Sequence, residues 1–320
     1  MKKGLLIWII IAASLICIGA VIIGISFINM KGDFNMLSTK KYETSTHNIT
    51  DTFTDILISG SDADIYILPS EDNVCKVISY EFIRSRHSVT LDGSTLTIKE
   101  INERKWYDYI DINFKSPEIK IYLPEAQYNT LTIDVSTGKI NIPNNFSFGD
   151  VNIKGSTGDI SFSASARDIN VRLSTGDITL NGLTANNVSL TVSTGKISIT
   201  DLTASGDAFI SVSTGKTFIQ NTTAQSLTSK GTTGDISLKG VIVKEKLSAE
   251  RSTGDVEFSR CDAGEIYIKT STGDVEGTLL SAKHFITSSK TGDIEVPKTH
   301  EGGVCNVQTS TGDIEIYITK

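Results

Sequence analysis

The sequence predicts an all-β protein, a parallel β-helix or β-solenoid of about ten coils of 18–20 residues, preceded by a single N-terminal transmembrane helix. The phrase Ser-Thr-Gly followed by Asp or Lys recurs with small variations from residue 136 to the C-terminal strand, and an uncharged apolar segment precedes it. In addition, no proline occurs between Pro143 and Pro297, where a continuous β-ladder needs every backbone N–H.

The repeated phrase is marked by a series of glycines. They are Gly138, Gly158, Gly176, Gly195, Gly215, Gly234, Gly254, Gly273, Gly292 and Gly312. Successive members lie 18–20 residues apart. A fixed period of this length indicates a solenoid, in which each coil buries its apolar face only against its neighbours.

Each glycine is flanked by two stretches in which apolar and polar residues alternate. Ile178 and Leu180 follow Gly176 by two and four residues, and Ile169 and Val171 precede it by seven and five. This period of two predicts strands with one buried face. A third apolar position predicts another short side of the coil, at Leu183, Leu202, Val241, Cys261 and Leu280. So short a coil has no room for a helix, so its strands must stack in parallel.

The favoured interpretation of the repeated phrase is a structural corner. Glycine adopts positive φ at no steric cost, and a following Asp can accept a hydrogen bond from nearby backbone. The last five corners all carry aspartate, namely Asp235, Asp255, Asp274, Asp293 and Asp313. A line of carboxylates attracts divalent cations or basic groups, so these residues are candidate binding residues. The calcium-binding nonapeptide pattern is absent, and we predict no metal and no cofactor.

The N-terminal segment predicts a membrane anchor over residues 1–30. Residues 4–30 carry no charge and exceed the roughly 20 residues needed to cross a bilayer. The apolar run is longer than that of a secretory signal and no A-x-A pattern follows it, although a cleaved signal is the alternative. Lysines on both sides leave the positive-inside rule nearly balanced. The Ser/Thr/Asn-rich body favours an extracytoplasmic location, with a cytoplasmic body as the alternative.

Three further regions follow the predicted anchor. We predict a linker over 31–44, a β-rich cap with degenerate coils over 45–135, and the repeat solenoid over 136–320. The linker reaches about 45–50 Å when extended, which keeps the body close to the membrane. Within the cap, "ILISGSDADIYILP" predicts a degenerate coil and "SVTLDGSTLTIKE" a hairpin. The last strand, "DIEIYITK", is predicted to leave an open edge guarded by Glu315 and Lys320.

An aromatic cluster stands out in the cap region. It consists of Trp106, Tyr107 and Tyr109 in "RKWYDYIDI". Because the open end of a solenoid needs a cap, packing within that cap is the favoured interpretation. The alternative is a stacking platform for a sugar or a peptide, so the three residues are also candidate binding residues.

Several functional classes are disfavoured. The net charge of −7 disfavours nucleic acid as a partner. "GKT" at 215–217 lacks the earlier glycine of a phosphate-binding loop, and neither a zinc-protease histidine spacing nor a G-x-S-x-G elbow occurs. The coils vary by only two residues, which leaves little chain to wall a catalytic cleft. We therefore predict a protein that is not an enzyme.

With its apolar N-terminus, irregular β-rich opening and train of "STGDI" coils, the sequence resembles the bacterial putative-adhesin, β-strand-repeat family of uncharacterised domains over about residues 45–320. The resemblance implies a β-helix-like fold, a cell-envelope setting and, in some members, a link to membrane-stress operons. It supplies no catalytic residues. We therefore expect a membrane-anchored, adhesin-like or scaffold module whose partner is an envelope protein or a glycan. The alternatives are a sensor or regulatory accessory of envelope-stress signalling and, less favoured, a carbohydrate-active enzyme.

Overall fold

The computed structural model describes residues 3–29, 41–109 and 116–319. Helix α1 spans Lys3–Asn29, and within it Ile7–Ser26 has a mean hydropathy of 2.8 and is not buried by the rest of the chain. This segment is long and apolar enough to cross a membrane. Most of the predicted linker lies outside the described residues, and its end already belongs to a strand that begins at Tyr42.

Seven strands come before the regular coils. They are β1 Tyr42–Ile49, β2 Asp55–Asp62, β3 Asp64–Pro69, β4 Cys75–Phe82, β5 Ser85–Asp92, β6 Thr95–Asn102 and β7 Glu118–Leu123. The predicted degenerate coil is confirmed as β2 and β3, and the predicted hairpin as the antiparallel pair β5 and β6.

Each regular coil then contributes one strand on either side of its repeated glycine. The strands before the glycine form face A: β8 Gln127–Thr137, β10 Ser147–Thr157, β12 Ser165–Thr175, β14 Asn187–Thr194, β16 Ala208–Thr214, β18 Leu227–Thr233, β20 Lys246–Glu250, β22 Glu265–Lys269, β24 His284–Thr291 and β26 Val304–Thr311. The strands after it form face B: β9 Ile140–Ile142, β11 Ile160–Phe162, β13 Ile178–Ala185, β15 Ile197–Ala204, β17 Thr217–Ala224, β19 Ile236–Val243, β21 Val256–Cys261, β23 Val275–Leu279, β25 Ile294–Glu295 and β27 Ile314–Ile318. Both faces are parallel sheets, which confirms the predicted fold class.

The core runs along the inside of the stacked coils. Ile169 of β12 is aligned with Val151 in one neighbouring coil and with Val188 in the other, and all three side chains are almost completely buried. The predicted third side is also present. In the coil of β23, however, the buried residue there is Leu279, while the predicted Leu280 is exposed.

The repeated glycine is required by two features of the corner. All ten glycines of the series have φ between 112° and 147°, a region that side-chain-bearing residues rarely adopt. A Cβ atom on Gly176 would also overlap the carbonyl oxygen of Gly158 in the neighbouring coil. The Gly176 N–H meanwhile donates to the Thr194 carbonyl on the other side at 3.0 Å. Corner therefore stacks directly on corner.

At the N-terminal end, spatial order departs from chain order. Strand β2 pairs with β8 on one side and β6 on the other, and β3 lies between β9 and β7. The coil of β2 and β3 is thus enclosed by two later coils. Beyond them, β5 pairs antiparallel with β6, β4 with β7, and β1 with β4. This antiparallel layer caps the solenoid.

The C-terminal end shows the same exchange. Strand β26 lies between β22 and β24, and β27 lies between β23 and β25. The prediction that the last strand leaves an open edge is therefore wrong for its first two residues, because β27 pairs with β23 along its whole length and with β25 at Ile314 and Glu315. The outermost coil is instead the one formed by β24 and β25. Every coil has the same corner and the same alternation of buried residues. The backbone ladder therefore stays continuous although the last two coils have exchanged places.

Candidate functional site

The five candidate aspartates lie in one column at the corner between faces A and B. Their spatial order is Asp235, Asp255, Asp274, Asp313 and Asp293, because the last two coils are exchanged. They therefore form one line, but not in the order of the sequence.

Four of the five aspartates complete a neighbouring corner, and Asp293 only donates to one because its coil is outermost. The backbone N–H of Asp274 donates to Asp255 Oδ1 at 2.9 Å, and that of Asp293 donates to Asp313 Oδ1 at 2.8 Å. The residues on either side of such an aspartate use their own N–H groups in the backbone ladder. On either side of Asp313, for example, the Gly312 N–H donates to the Thr291 carbonyl and the Ile314 N–H donates to the Asp293 carbonyl. One carboxylate oxygen of Asp235, Asp255, Asp274 and Asp313 is thus committed to backbone.

A second acidic column, which the sequence analysis missed, runs beside the first on face B. It consists of Glu257, Glu276, Glu315 and Glu295, which are aligned strand by strand. Each stands two residues after an aspartate, and together with Asp255, Asp274, Asp313 and Asp293 they form what we call the acidic columns. The signal was visible as Gly-Asp-Val/Ile-Glu in four coils, where most earlier coils carry Ser or Thr in place of Glu.

The charges within the columns affect each other. Partial burial and the nearby Glu315 and Asp274 carboxylates raise the pKa of Glu276. The Tyr317 hydroxyl donates to Glu315 Oε1 at 2.5 Å, and this hydrogen bond raises the pKa of Tyr317 to about 12. At the other end of the line, the Lys216 ammonium lies 3.0 Å from Asp235 Oδ2 and lowers the pKa of that carboxyl.

The columns border a shallow groove of about 330 Å³ on face B, lined among others by Phe258, Thr278 and Tyr317. Within the described part of the chain, no group of three or more His, Cys, Asp or Glu side chains is arranged to hold a metal ion. The acidic columns instead offer negative charge along a regular surface.

The aromatic candidates lie at the opposite end of the body. Trp106, Tyr107 and Tyr109 belong to a short 3₁₀ turn, Trp106–Tyr109, and are 77%, 44% and 63% exposed. The favoured interpretation, packing within the cap, is therefore wrong for Trp106. The Arg84 guanidinium donates to the Tyr107 hydroxyl at 3.3 Å, and that of Arg104 lies 5.2 Å from the centre of the Tyr109 ring. The role of a stacking platform stays a prediction.

A buried polar cluster in the cap was also missed. His87 Nδ1 lies 2.8 Å from Glu81 Oε2, and the His87 backbone N–H donates to the same oxygen at 2.7 Å. Ser45 donates to the other oxygen of Glu81 at 2.8 Å. Burial opposes ionisation of Glu81, but these hydrogen bonds outweigh it and lower its pKa. The cluster joins β1, β4 and β5, and no spacing in the sequence announces it.

The three cysteines of the β-rich body are poorly suited to act as nucleophiles. Cys75, Cys261 and Cys305 are free thiols buried in the core. Burial raises the pKa of Cys75 and of Cys305 to about 12, and it also raises that of Cys261. A thiol that stays protonated is a poor nucleophile and metal ligand.

Comparison with models of known protein families identifies the family of this chain. The family model described as Toastrack DUF4097 matches residues 53–266 and 203–320. The chain belongs to this family. The Toastrack DUF4097 match covers the chain from the residues before β2 to the last coil, whereas α1 and β1 lie outside it.

Solved structures resemble the chain over most of its length. A "putative adhesin" from Bacteroides fragilis is 18% identical, with 87% of this chain and 98% of the other covered and a TM-score of 0.45. A "putative adhesin" from Parabacteroides distasonis is 12% identical, with 87% and 98% covered and a TM-score of 0.46. A "putative lipid binding protein" from the same organism is 12% identical, with 86% and 97% covered and a TM-score of 0.26. No curated protein matches the chain.

Proposed function

We propose that this protein is a membrane-anchored, non-enzymatic module of the bacterial cell envelope, whose solenoid binds or scaffolds another envelope component. In this proposal residues 1–30 are the anchor, 31–44 the linker, 45–135 the cap and 136–320 the binding rod. The observation that carries it is the uninterrupted stacking of short coils in a chain that begins with an apolar helix long enough to cross a membrane. Such a rod offers long regular faces to a partner.

Face A has a surface suited to a glycan or a polar protein segment. A groove of about 590 Å³ crosses β10, β12, β14 and β16, and Asn152, Asn170 and Asn187 contribute to its lining. Phe209, at the same groove, is 41% exposed. Amides that can donate and accept, beside an exposed aromatic ring, are the groups that bind sugar hydroxyls and sugar faces.

The chemistry of the side chains favours binding over catalysis. The corner aspartates accept hydrogen bonds from backbone, and the core thiols are buried and protonated. The short coils supply no long insertions that could exclude water from a reacting group. These features support a module without catalytic activity.

Protease treatment of intact cells tests the membrane topology. With a short cytoplasmic N-terminus and an extracytoplasmic body, an added protease degrades the body while a cytoplasmic marker protein survives. Protection of the body in intact cells, with degradation after lysis, would place it in the cytoplasm and overturn the proposed location.

Crosslinking in cells followed by mass spectrometry tests the binding role. Wild type is compared with Phe209→Ser, which removes the exposed ring, and with Thr228→Ser, a mild change at the aligned position of the next coil. Crosslinks to envelope proteins or glycans that decrease in the Phe209 variant alone support binding through face A. One stoichiometric signalling membrane protein as the sole partner would instead favour a sensor or regulatory accessory.

A further inference from the structure

The outermost coil has an unpaired edge. Within the described residues, no strand pairs with the outer side of β24 or β25. The His284 N–H donates inward to the Gly303 carbonyl at 2.9 Å. Because strand residues alternate in direction, Phe285, Thr287 and Ser289 present their N–H and C=O groups outward. Such a row is a template for another strand.

Apolar side chains are also uncovered at this end. Ile294 occupies an inward position of β25 and is 43% exposed, whereas Ile314, aligned with it in the next coil, is 1% exposed. Ile286 and Val304 nearby are exposed as well. At the opposite end the antiparallel layer covers the last parallel coil, and Ile98 and Ile121 are fully buried. Only the C-terminal end of the core is left without such a layer among the described strands.

The charge at the open edge determines what could cover it. Asp293 and Glu295 are the outermost members of the acidic columns. Strand β24 itself carries His284 and Lys290 and no acidic residue, so the negative charge of this edge lies at the corner and on β25. A segment that carries Lys or Arg opposite Asp293 and Glu295 would be attracted to this part of the edge.

We propose that the β24–β25 edge binds an extended, basic segment of a second protein by strand addition. Backbone hydrogen bonds to the outward groups of Phe285, Thr287 and Ser289 hold the first part of the segment. The segment continues past the corner to β25, where its Lys or Arg side chains face Asp293 and Glu295 and an apolar residue covers Ile294. This site rests on the proposed binding function and adds the place and the chemistry of the partner.

Peptide binding to the full-length chain in detergent micelles tests the site. The probe is a fluorescent peptide as long as the edge from His284 to Glu295 that alternates lysine and valine, and the control replaces each lysine with glutamate. The lysine peptide is expected to bind saturably, as measured by fluorescence anisotropy, and the glutamate peptide is not. Absence of binding by the lysine peptide overturns the proposal.

A matched pair of variants separates strand addition from adsorption. Thr287→Pro removes one outward N–H without removing an internal ladder bond, whereas Thr287→Val keeps that N–H. Affinity is expected to fall about tenfold in the proline variant, because one hydrogen bond to the added segment is lost and the proline ring hinders the bonds beside it. Affinity is expected to stay unchanged in the valine variant. The double variant Asp293→Asn, Glu295→Gln is expected to weaken binding by about threefold or more.

The remaining outcomes also decide the matter. Equal affinity of the proline variant and wild type would mean adsorption to the acidic columns and would overturn strand addition. A wild-type chain that dimerises in sedimentation experiments, with the dimer lost in Thr287→Pro, would assign the edge to self-association. If peptide binding fails while cellular crosslinks through face A persist, this inference is wrong and the proposed binding function stands.

Discussion

The backbone N–H of Asp313 donates to Oδ1 of Asp274 at 2.8 Å, although 39 residues separate the two in the sequence. The preceding corner makes the same bond, from Asp274 to Asp255, across 19 residues. The longer separation arises because the coil of Asp293 has moved to the outside of the stack. The corner bond thus joins spatial neighbours whatever their order in the chain.

Removing the acceptor at Asp274 should destabilise the C-terminal coils. Asp274→Ala leaves the Asp313 N–H to water, and we expect a loss of about 0.5–1 kcal/mol in the free energy of unfolding. Asp274→Asn retains Oδ1 and removes a charge from the acidic columns, so its stability should equal or exceed that of wild type. Denaturant unfolding of the full-length chain in micelles measures both. Equal losses in the two variants would show that the charge, rather than the corner bond, is what matters.

The corner glycine should tolerate substitution far less than a glycine at the next bend. Gly176→Ala places a Cβ atom against the Gly158 carbonyl at a φ of 130°, and we expect a loss of more than about 2 kcal/mol. Gly182 also has positive φ, 64°, but has open space around it, and Asn221 occupies such a bend in another coil. Gly182→Asn is therefore the matched control and should remain close to wild type.

Thermal unfolding of these two glycine variants provides the measurement. A Gly176→Ala variant as stable as wild type would mean that the corner adjusts and that the stacking of Gly176 on Gly158 does not constrain the coil. A large loss in Gly182→Asn alone would place the critical constraint at the second bend.

The coil could be predicted from sequence because its period is short and its inward positions alternate. The burial of Ile178 and Leu180 could be predicted because they follow Gly176 by two and four residues. Coil order could not be predicted, because Gly312 stacks on Gly273 just as Gly292 would have done. When every coil presents the same pattern, pattern alone cannot identify which neighbour it pairs with.

The candidate site was predictable to a lesser degree. The aspartate column followed from the repeat, but the glutamate column was missed even though Glu257 and Glu276 occupy the same position of successive coils. The pair of Glu81 and His87 could not be found, since its contact depends on how β4 and β5 fold over the end of the rod. The repeat in the sequence predicts the structure of the solenoid but carries no information about the irregular cap.

The buried thiols should report on opening of the chain. In a Cys17→Ser background, a thiol reagent should label none of Cys75, Cys261 and Cys305 in the folded state and all three after unfolding in guanidinium. Cys305 is the informative residue, because β26 is held between β22 and β24. Rapid labelling of Cys305 under native conditions, read by mass spectrometry, would contradict the inserted position of β26.

The acidic columns should make stability depend on pH with opposite signs at two carboxyls. The pKa of Glu276 is raised in the folded state above its usual 4.5, so the folded chain binds the proton more tightly than the unfolded chain. Its ionisation therefore destabilises the fold as pH rises through this window. Glu276→Gln should be more stable than wild type at pH 7, and the difference should shrink as pH falls and vanish below about pH 4.

At Asp235, stability should depend on pH in the opposite direction. Its pKa is lowered by Lys216, so its contribution to stability is present above the usual pKa of 3.8 and is lost as pH falls through the folded value. Asp235→Asn keeps Oδ1 for the corner bond, and we expect it to be less stable than wild type at pH 7 and to converge with it in acid. Unfolding curves at several pH values measure both variants. A shift of the same sign for Glu276→Gln and Asp235→Asn would mean that net charge, rather than the local partners of each carboxyl, governs the pH dependence.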